Sequence, residues 1–246
     1  MCLIIVKPSA VSIPNALFNS ALEHNQDGYG IMYADNGSVK ANKGLDYSKL
    51  KSRLKTLENK EIILHLRMAT HGTIKRDNCH PFKITEDLWF AHNGILRDFI
   101  PQDGNISDTI SFNRSVLMPD LQSDINLLFT EDYCRYIESL VGKNNKLAFL
   151  SSDGRIKLIN RDQWIEYNGL LLSNDYAYDA YSLGIIGSYD PLYYHDPYMD
   201  HDDSLELLAN SSLQDIEDLA YTDPQYLARL VYNYFHPSDN TMDHIF

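Results

Sequence analysis

The sequence predicts an α+β fold built on antiparallel sheets, and three observations lead there. The turn dipeptides Asn36-Gly37 and Asp153-Gly154 each sit between β-rich runs, where a two-residue hairpin loop belongs. Strand-like and helix-like segments alternate irregularly, without the steady strand–helix succession of a doubly wound parallel sheet. No internal repeat and no low-complexity linker interrupts the 246 residues.

The elements follow in chain order. Leu3–Val6 is a short β-rich run. Pro14 stands where a helix begins, and Leu17, Phe18, Ala21 and Leu22 give that helix an apolar stripe. Tyr29–Tyr33 reads as a strand and Ser38–Ala41 as its return across the Asn36-Gly37 turn. Tyr47, Leu50, Leu54 and Leu57 recur at helical spacing on a Lys-rich segment. Glu61–Leu66 and Leu88–Ala91 read as buried strands, Ser107–Leu117 and Tyr133–Val141 as helices. Lys146–Leu150 and Ile156–Ile159 make the second hairpin. Leu170–Leu172 and Ser182–Ile186 are further strands, and Asp223-Pro224 opens a final amphipathic helix through Phe235.

Composition is that of a globular protein, with 44% hydrophobic and 22% charged residues. No stretch approaches the roughly 20 apolar residues that cross a bilayer, so no membrane association is expected. The apolar start of the chain stops at Lys7-Pro8 and has no basic flank, which argues against a signal peptide. Cys2, Cys79 and Cys134 are odd in number and widely spaced, fitting neither a disulfide framework nor a zinc site. A reducing, cytoplasmic location is therefore expected. Of the net charge of −13, twelve acidic residues and the single basic Arg229 place −11 after Ile186. Such an acidic surface repels phosphate backbones, which excludes direct nucleic-acid binding.

Cys2 is the first residue with a chemical meaning. A small second residue favours removal of the initiator methionine, and a mature Cys2 would carry a thiol and a free α-amine on one carbon. The amine titrates near 8 and the thiol near 8.5, so the amine can activate its own thiol without a His or Asp partner. Taken alone, Cys2 reads first as a buried cysteine opening an edge strand.

Five downstream elements change that reading. His65-Leu66-Arg67-Met68-Ala69-Thr70-His71-Gly72, His92-Asn93-Gly94-Ile95, Ser107-Asp108-Thr109, Asn25-Gln26-Asp27-Gly28-Tyr29-Gly30-Ile31 and Cys79-His80-Pro81-Phe82 stand behind the Cys2 start. Each is weak alone; the ordered set resembles the class II glutamine amidotransferases, a family of N-terminal nucleophile hydrolases, over about residues 1–111 and more faintly to Gly187. The resemblance implies a four-layer αββα sandwich with antiparallel sheets and Cys2 at the end of a central strand. It implies L-glutamine as substrate, Cys2 as nucleophile, and an oxyanion hole from the Asn93 side chain and the Gly94 N–H. Arg67 would take the α-carboxylate as a guanidinium fork, and Asp108 the α-ammonium. Thr70, His71 and Gly72 would shape the substrate pocket. No metal and no organic cofactor is implied.

Each residue also has a plainer reading: Arg67 as an ion-pair residue, Asn93-Gly94 as a hairpin turn, Asp108 as a helix cap. His65, His71, His80 and His92 fall in separate turns without ligand spacing, so no metal site is expected. Cys79 and Cys134 read as structural thiols. The domain expectation is a glutaminase unit over residues 1–187 and an acidic, Tyr-rich helical extension over 188–246 packed on it. About 60 residues after Gly187 are too few for a synthase domain. Either the ammonia is expected to pass to a separate synthase, for which the extension is where docking would be sought, or the chain is a stand-alone hydrolase of glutamine or a related γ-glutamyl amide. The alternatives are an N-terminal nucleophile amidase acting on another γ-glutamyl compound, and a catalytically silent binding subunit.

Overall fold

A computed structural model describes residues 2–69, 73–102, 104–180 and 183. Contacts divide the chain into Met1–Ile186 and Gly187–Phe246, and every described residue belongs to the first unit. The expected extension with its Asp223–Phe235 helix, and nearly all of the Ser182–Ile186 strand, lie outside the described residues.

Among the described residues ten strands form two sheets, and every pairing between them is antiparallel. The six-stranded sheet is built from β1 (Leu3–Lys7), β2 (Tyr29–Asp35), β3 (Ser38–Gly44), β4 (Ile62–Leu66), β9 (Ile165–Tyr167) and β10 (Leu170–Leu172), in the order β3-β2-β4-β1-β10-β9. The four-stranded sheet takes β5 (Phe82–Thr85), β6 (Leu88–Asn93), β7 (Lys146–Ser151) and β8 (Ile156–Ile159) in sequence. The β2–β3 turn is set by Asn36 and Gly37, both at positive φ (49° and 71°), the geometry whose twist suits a two-residue hairpin.

The alternation of side chains along these strands makes three apolar layers. Between the sheets lie Ile4, Val6, Met32 and Ile63 from one side and Ala91, Ala148 and Leu150 from the other. On the outer face of the six-stranded sheet, Leu3, Ile5, Leu64 and Leu66 meet Leu17, Phe18 and Ala21 of α1 (Asn15–His24) and Leu50 of α2 (Tyr47–Thr56). On the outer face of the four-stranded sheet, Phe90 and Phe149 meet Phe112, Leu121 and Ile137 from the helices α3 (Asp108–Phe112), α4 (Met118–Leu121) and α5 (Glu131–Val141), and Leu117 from the π-helical turn between α3 and α4. The result is the αββα sandwich.

β1 is an inner strand covered on both faces, so all five of its residues are buried, Lys7 included. The Lys7 ammonium stays satisfied by donating to the carbonyls of Pro8, Glu58 and Lys60, each at 2.9 Å. The helix expected to end at Leu117 runs on through the π-helical Asn113–Leu117 into α4. Pro14 stands one residue before α1, as its cap residue. β5 and β9, with four and three residues, are too short to show a period in the sequence.

Candidate active site

Cys2 immediately precedes β1 and is held there by the two residues after β10. The Asn174 side chain donates to Cys2 O at 2.7 Å, and Ser173 pairs with Ile4 through both its backbone N–H (3.0 Å) and its hydroxyl, which accepts from Ile4 N at 2.8 Å. The Cys2 thiol donates to Met68 O at 3.3 Å. Burial holds this thiol above its ordinary range; the Met68 hydrogen bond and the Arg67 charge oppose that shift, and the Asp108 charge adds to it.

The early turn and the segment after β4 form one unit. Arg67 N donates to Gly28 O (2.7 Å), Asp27 N to Arg67 O (2.9 Å), and Ala69 N to the Asp27 carboxylate (2.7 Å). Tyr47 ties the same turn to α2, donating to Asn25 O at 2.6 Å and accepting from Gly28 N at 3.0 Å. Gly28 has φ +127°, and a Cβ there would meet Cys79 Sγ at 2.5 Å. At Gly30 a Cβ would stand 1.7 Å from His80 O, so β2 passes directly against the His80-Pro81 segment. These contacts leave Arg67 only 3% exposed beside the thiol.

Asn93 ends β6, is 1% exposed, and donates through Nδ2 to Ser173 Oγ at 3.1 Å, across the gap between the sheets. Gly94 follows at φ +136°. Ser107 caps α3 by accepting from Ile110 N at 3.3 Å, and Asp108 is the first residue of that helix. The Asp108 carboxylate accepts from Leu96 N (2.7 Å) and Thr109 N (2.8 Å), which ties the loop beyond Asn93-Gly94 to the start of α3. His92 joins the same region, with Nδ1 2.9 Å from Thr109 Oγ1 and Nε2 2.8 Å from Asn145 Oδ1.

The structure thus brings Cys2, Arg67, Asn93, Gly94 and Asp108 to one end of the two sheets. Thr70, His71 and Gly72 lie outside the described residues. Three of the four histidines expected in separate turns instead come together: the His65 and His80 rings are 4.0 Å apart and those of His80 and His92 6.3 Å. His65 and His92 stand within strands, which is why their rings meet between residues far apart in the chain. Burial pushes His65 down to about 3 and His80 well below its usual value, so both rings are neutral. Among the described residues no three His, Cys, Asp or Glu side chains are grouped to hold a metal ion, and no helix is long and apolar enough to cross a membrane. Cys79 and Cys134 are buried thiols, the latter donating to Leu128 O at 3.2 Å.

Sequence reasoning missed Asn145, Ser173 and Asn174. The one signal available was the polar pair Ser173-Asn174 directly after the apolar Leu170–Leu172. Two surface cavities, about 900 and 540 Å³, flank α2 on its β3 and α1 sides, and Cys2 lines neither.

The model of a family described as class-II glutamine amidotransferases matches residues 8–165. The match takes in Arg67, Asn93, Gly94 and Asp108; Cys2 precedes it. Among solved structures, a glutamine aminotransferase class-II domain protein from Silicibacter pomeroyi is 15% identical, with 62% of this chain and 73% of that one covered and a TM-score of 0.33. The glutamine phosphoribosylpyrophosphate amidotransferase of B. subtilis, complexed with ADP and GMP, is 17% identical, with 73% and 43% covered and a TM-score of 0.45. The chain therefore spans less than half the length of the B. subtilis enzyme. No curated protein matches.

Proposed function

Because this chain belongs to the class-II glutamine amidotransferases, we propose that it hydrolyses the side-chain amide of L-glutamine through a thioester on Cys2 and releases glutamate and ammonia. The observation that carries this reading is positional: Leu3 pairs with Leu66, which sets Arg67 beside Cys2, and Asp108 accepts from Leu96 N just beyond Asn93-Gly94, with Arg67 and Asp108 both buried and of opposite charge. Glutamine presents an α-carboxylate and an α-ammonium, and a buried cation and a buried anion beside a nucleophile match that pair.

In the proposed mechanism Met1 is removed and the exposed amine of Cys2 takes the thiol proton. A base is needed because burial favours the neutral thiol, which rests on Met68 O. The thiolate attacks the amide carbon, and the oxyanion is received by the Asn93 side-chain NH2 and the Gly94 N–H. Asn93 Nδ2 already gives one hydrogen to Ser173, which fixes the direction of the other. The proton leaves with ammonia, and water hydrolyses the γ-glutamyl thioester to glutamate. Thr70, His71 and Gly72 line the pocket in this scheme. The ammonia goes to a partner synthase in this scheme.

The test is intact-mass spectrometry of the N-terminus with a glutaminase assay on the same preparation. A chain lacking Met1 that produces ammonia from glutamine is expected. A processed chain inactive on glutamine but active on another γ-glutamyl amide would replace the substrate and keep the chemistry.

A further inference from the structure

The Asn93-Gly94 turn and Asp108 stand at the two ends of one hydrogen-bonded chain, and that chain has a direction. It begins at Val141 O, the last carbonyl of α5, which only accepts. Asn145 Nδ2 donates to it at 2.6 Å, which turns Asn145 Oδ1 toward the His92 ring, 2.8 Å from Nε2. An amide oxygen also only accepts, so Nε2 must carry the proton. His92 is 2% exposed, and burial holds it below its ordinary range against the pull of Asp108 and the Asn145 hydrogen bond. The ring is neutral and its Nδ1 is an acceptor.

The consequence reaches Asp108. Thr109 Oγ1 lies 2.9 Å from His92 Nδ1 and 3.3 Å from Asp108 Oδ1, and it has one proton to give. With Nδ1 accepting, that proton goes to the ring. Among the described residues Asp108 then keeps the N–H groups of Thr109 and Leu96, which leaves lone pairs on its carboxylate for a substrate. At the other end, Asn145 Oδ1 lies directly beneath Gly94: a Cβ there would come within 2.1 Å of it. Asn145 is itself fixed, its main-chain oxygen accepting from Asn160 Nδ2 at 2.7 Å.

We propose that His92, as the Nε2–H tautomer, and Asn145 are positioning residues that hold the oxyanion turn and the ammonium acceptor in register for one substrate. This rests on the glutaminase reading of the site. In the opposite tautomer Nε2 and Asn145 Oδ1 would face each other lone pair to lone pair, and the Thr109 hydroxyl would return to Asp108. One proton on one ring therefore sets both ends.

The tautomer is read directly on the full-length parent by NMR of ¹⁵N-labelled histidine, with His92 identified through its ring couplings. Nε2–H is expected, and Nδ1–H would overturn the proposal. Two variants then divide the ring's roles. His92→Asn keeps an acceptor near the Nδ1 position and loses the contact to Asn145, so kcat should fall about tenfold with KM nearly unchanged. His92→Gln keeps a donor toward Asn145 and loses the acceptor for Thr109, so KM for glutamine should rise about tenfold with kcat nearly unchanged. Equal losses of both constants in both variants would mark a packing role and overturn the proposal. A parent inactive on glutamine would instead refute the proposed function, and the tautomer would still decide for or against the brace.

Discussion

The Asn93 side-chain amide donates to the Ser173 hydroxyl at 3.1 Å, joining the end of β6 in one sheet to the residue after β10 in the other. The same hydroxyl accepts from Ile4 N, so the proposed oxyanion donor and the strand behind Cys2 share one oxygen. Asn93→Ala is expected to lower kcat roughly a hundredfold and to change KM little, because the donor acts on charge present only in the transition state. Ser173→Ala, which leaves the amide in place but unanchored, should lose less. Initial-rate kinetics with glutamine check both, and an effect confined to KM would make Asn93 a binding residue.

Cys2→Ala should abolish glutamine hydrolysis while leaving the fold intact, since no other nucleophile is proposed. A glutamine analogue bearing a diazoketone should add one adduct, found at Cys2 by peptide mapping. Cys79 and Cys134 are buried and should stay unlabelled; label on either would end the assignment of Cys2.

Arg67→Lys is expected to raise KM about tenfold or more, because a point charge does not replace a planar fork on a carboxylate. Asp108→Asn should raise KM similarly. It should also cost about 1–3 kcal/mol of stability, since the carboxylate accepts from both Leu96 N and Thr109 N. Saturation curves within twofold of the parent for both variants would remove these residues from substrate binding.

Stability should fall in mild acid. His65 titrates at about 3 and His80 well below its usual value in the folded protein, whereas both titrate near 6.5 when unfolded. Between those values only the unfolded chain binds the protons. Stability is therefore complete above about pH 6.5 and is lost as the pH drops below it, at up to about 1.4 kcal/mol per pH unit for each histidine. His80→Phe, beside Phe82 with ring centroids at 4.6 Å, should make the decline shallower. Urea midpoints measured between about pH 5 and 7 decide it, and a flat profile would mean that these rings take up protons in the folded protein as readily as in the unfolded chain.

Gly30→Ala should destabilise by about 3 kcal/mol or more, because its Cβ would fall 1.7 Å from a backbone oxygen that cannot step aside. Gly37→Ala, with nothing within 4 Å of the new atom, is the control and should show only the smaller strain of its positive φ. Equal midpoint shifts for the two would show that β2 and the His80 segment separate at little cost.

What the sequence made legible was local. The stripe Leu17, Phe18, Ala21 of α1 and the Asn36-Gly37 hairpin could be read directly, because period and turn chemistry act within a few residues. The αββα layering, and the gathering of Arg67, Asn93, Gly94 and Asp108, were legible only through the order of short motifs. The supports of the site were hidden for a physical reason. Asn145 reaches His92 across 53 residues and Ser173 reaches Asn93 across 80, and an Asn or Ser in a loop carries no mark of a distant partner. The same holds for the three histidines, whose rings meet because β4 and β6 lie in facing sheets and not because of their spacing.

β1 is paired on one side by β4 and on the other by β10, whose residues come some 165 positions later in the chain. During synthesis the first strand therefore waits, one edge open, until residue 172 has left the ribosome. At about 5–20 residues per second that wait lasts on the order of ten to thirty seconds. If Met1 is removed, as the proposed mechanism requires, this interval leaves the bond before Cys2 next to a half-paired strand, whereas afterwards β10 and the Asn174 side chain, which donates to Cys2 O, hold that strand on its second side. Under the proposed mechanism, activation would then be a race between an aminopeptidase and the folding of its own substrate. A slower ribosome, or a slower-pairing β10, would yield a larger active fraction from the same gene.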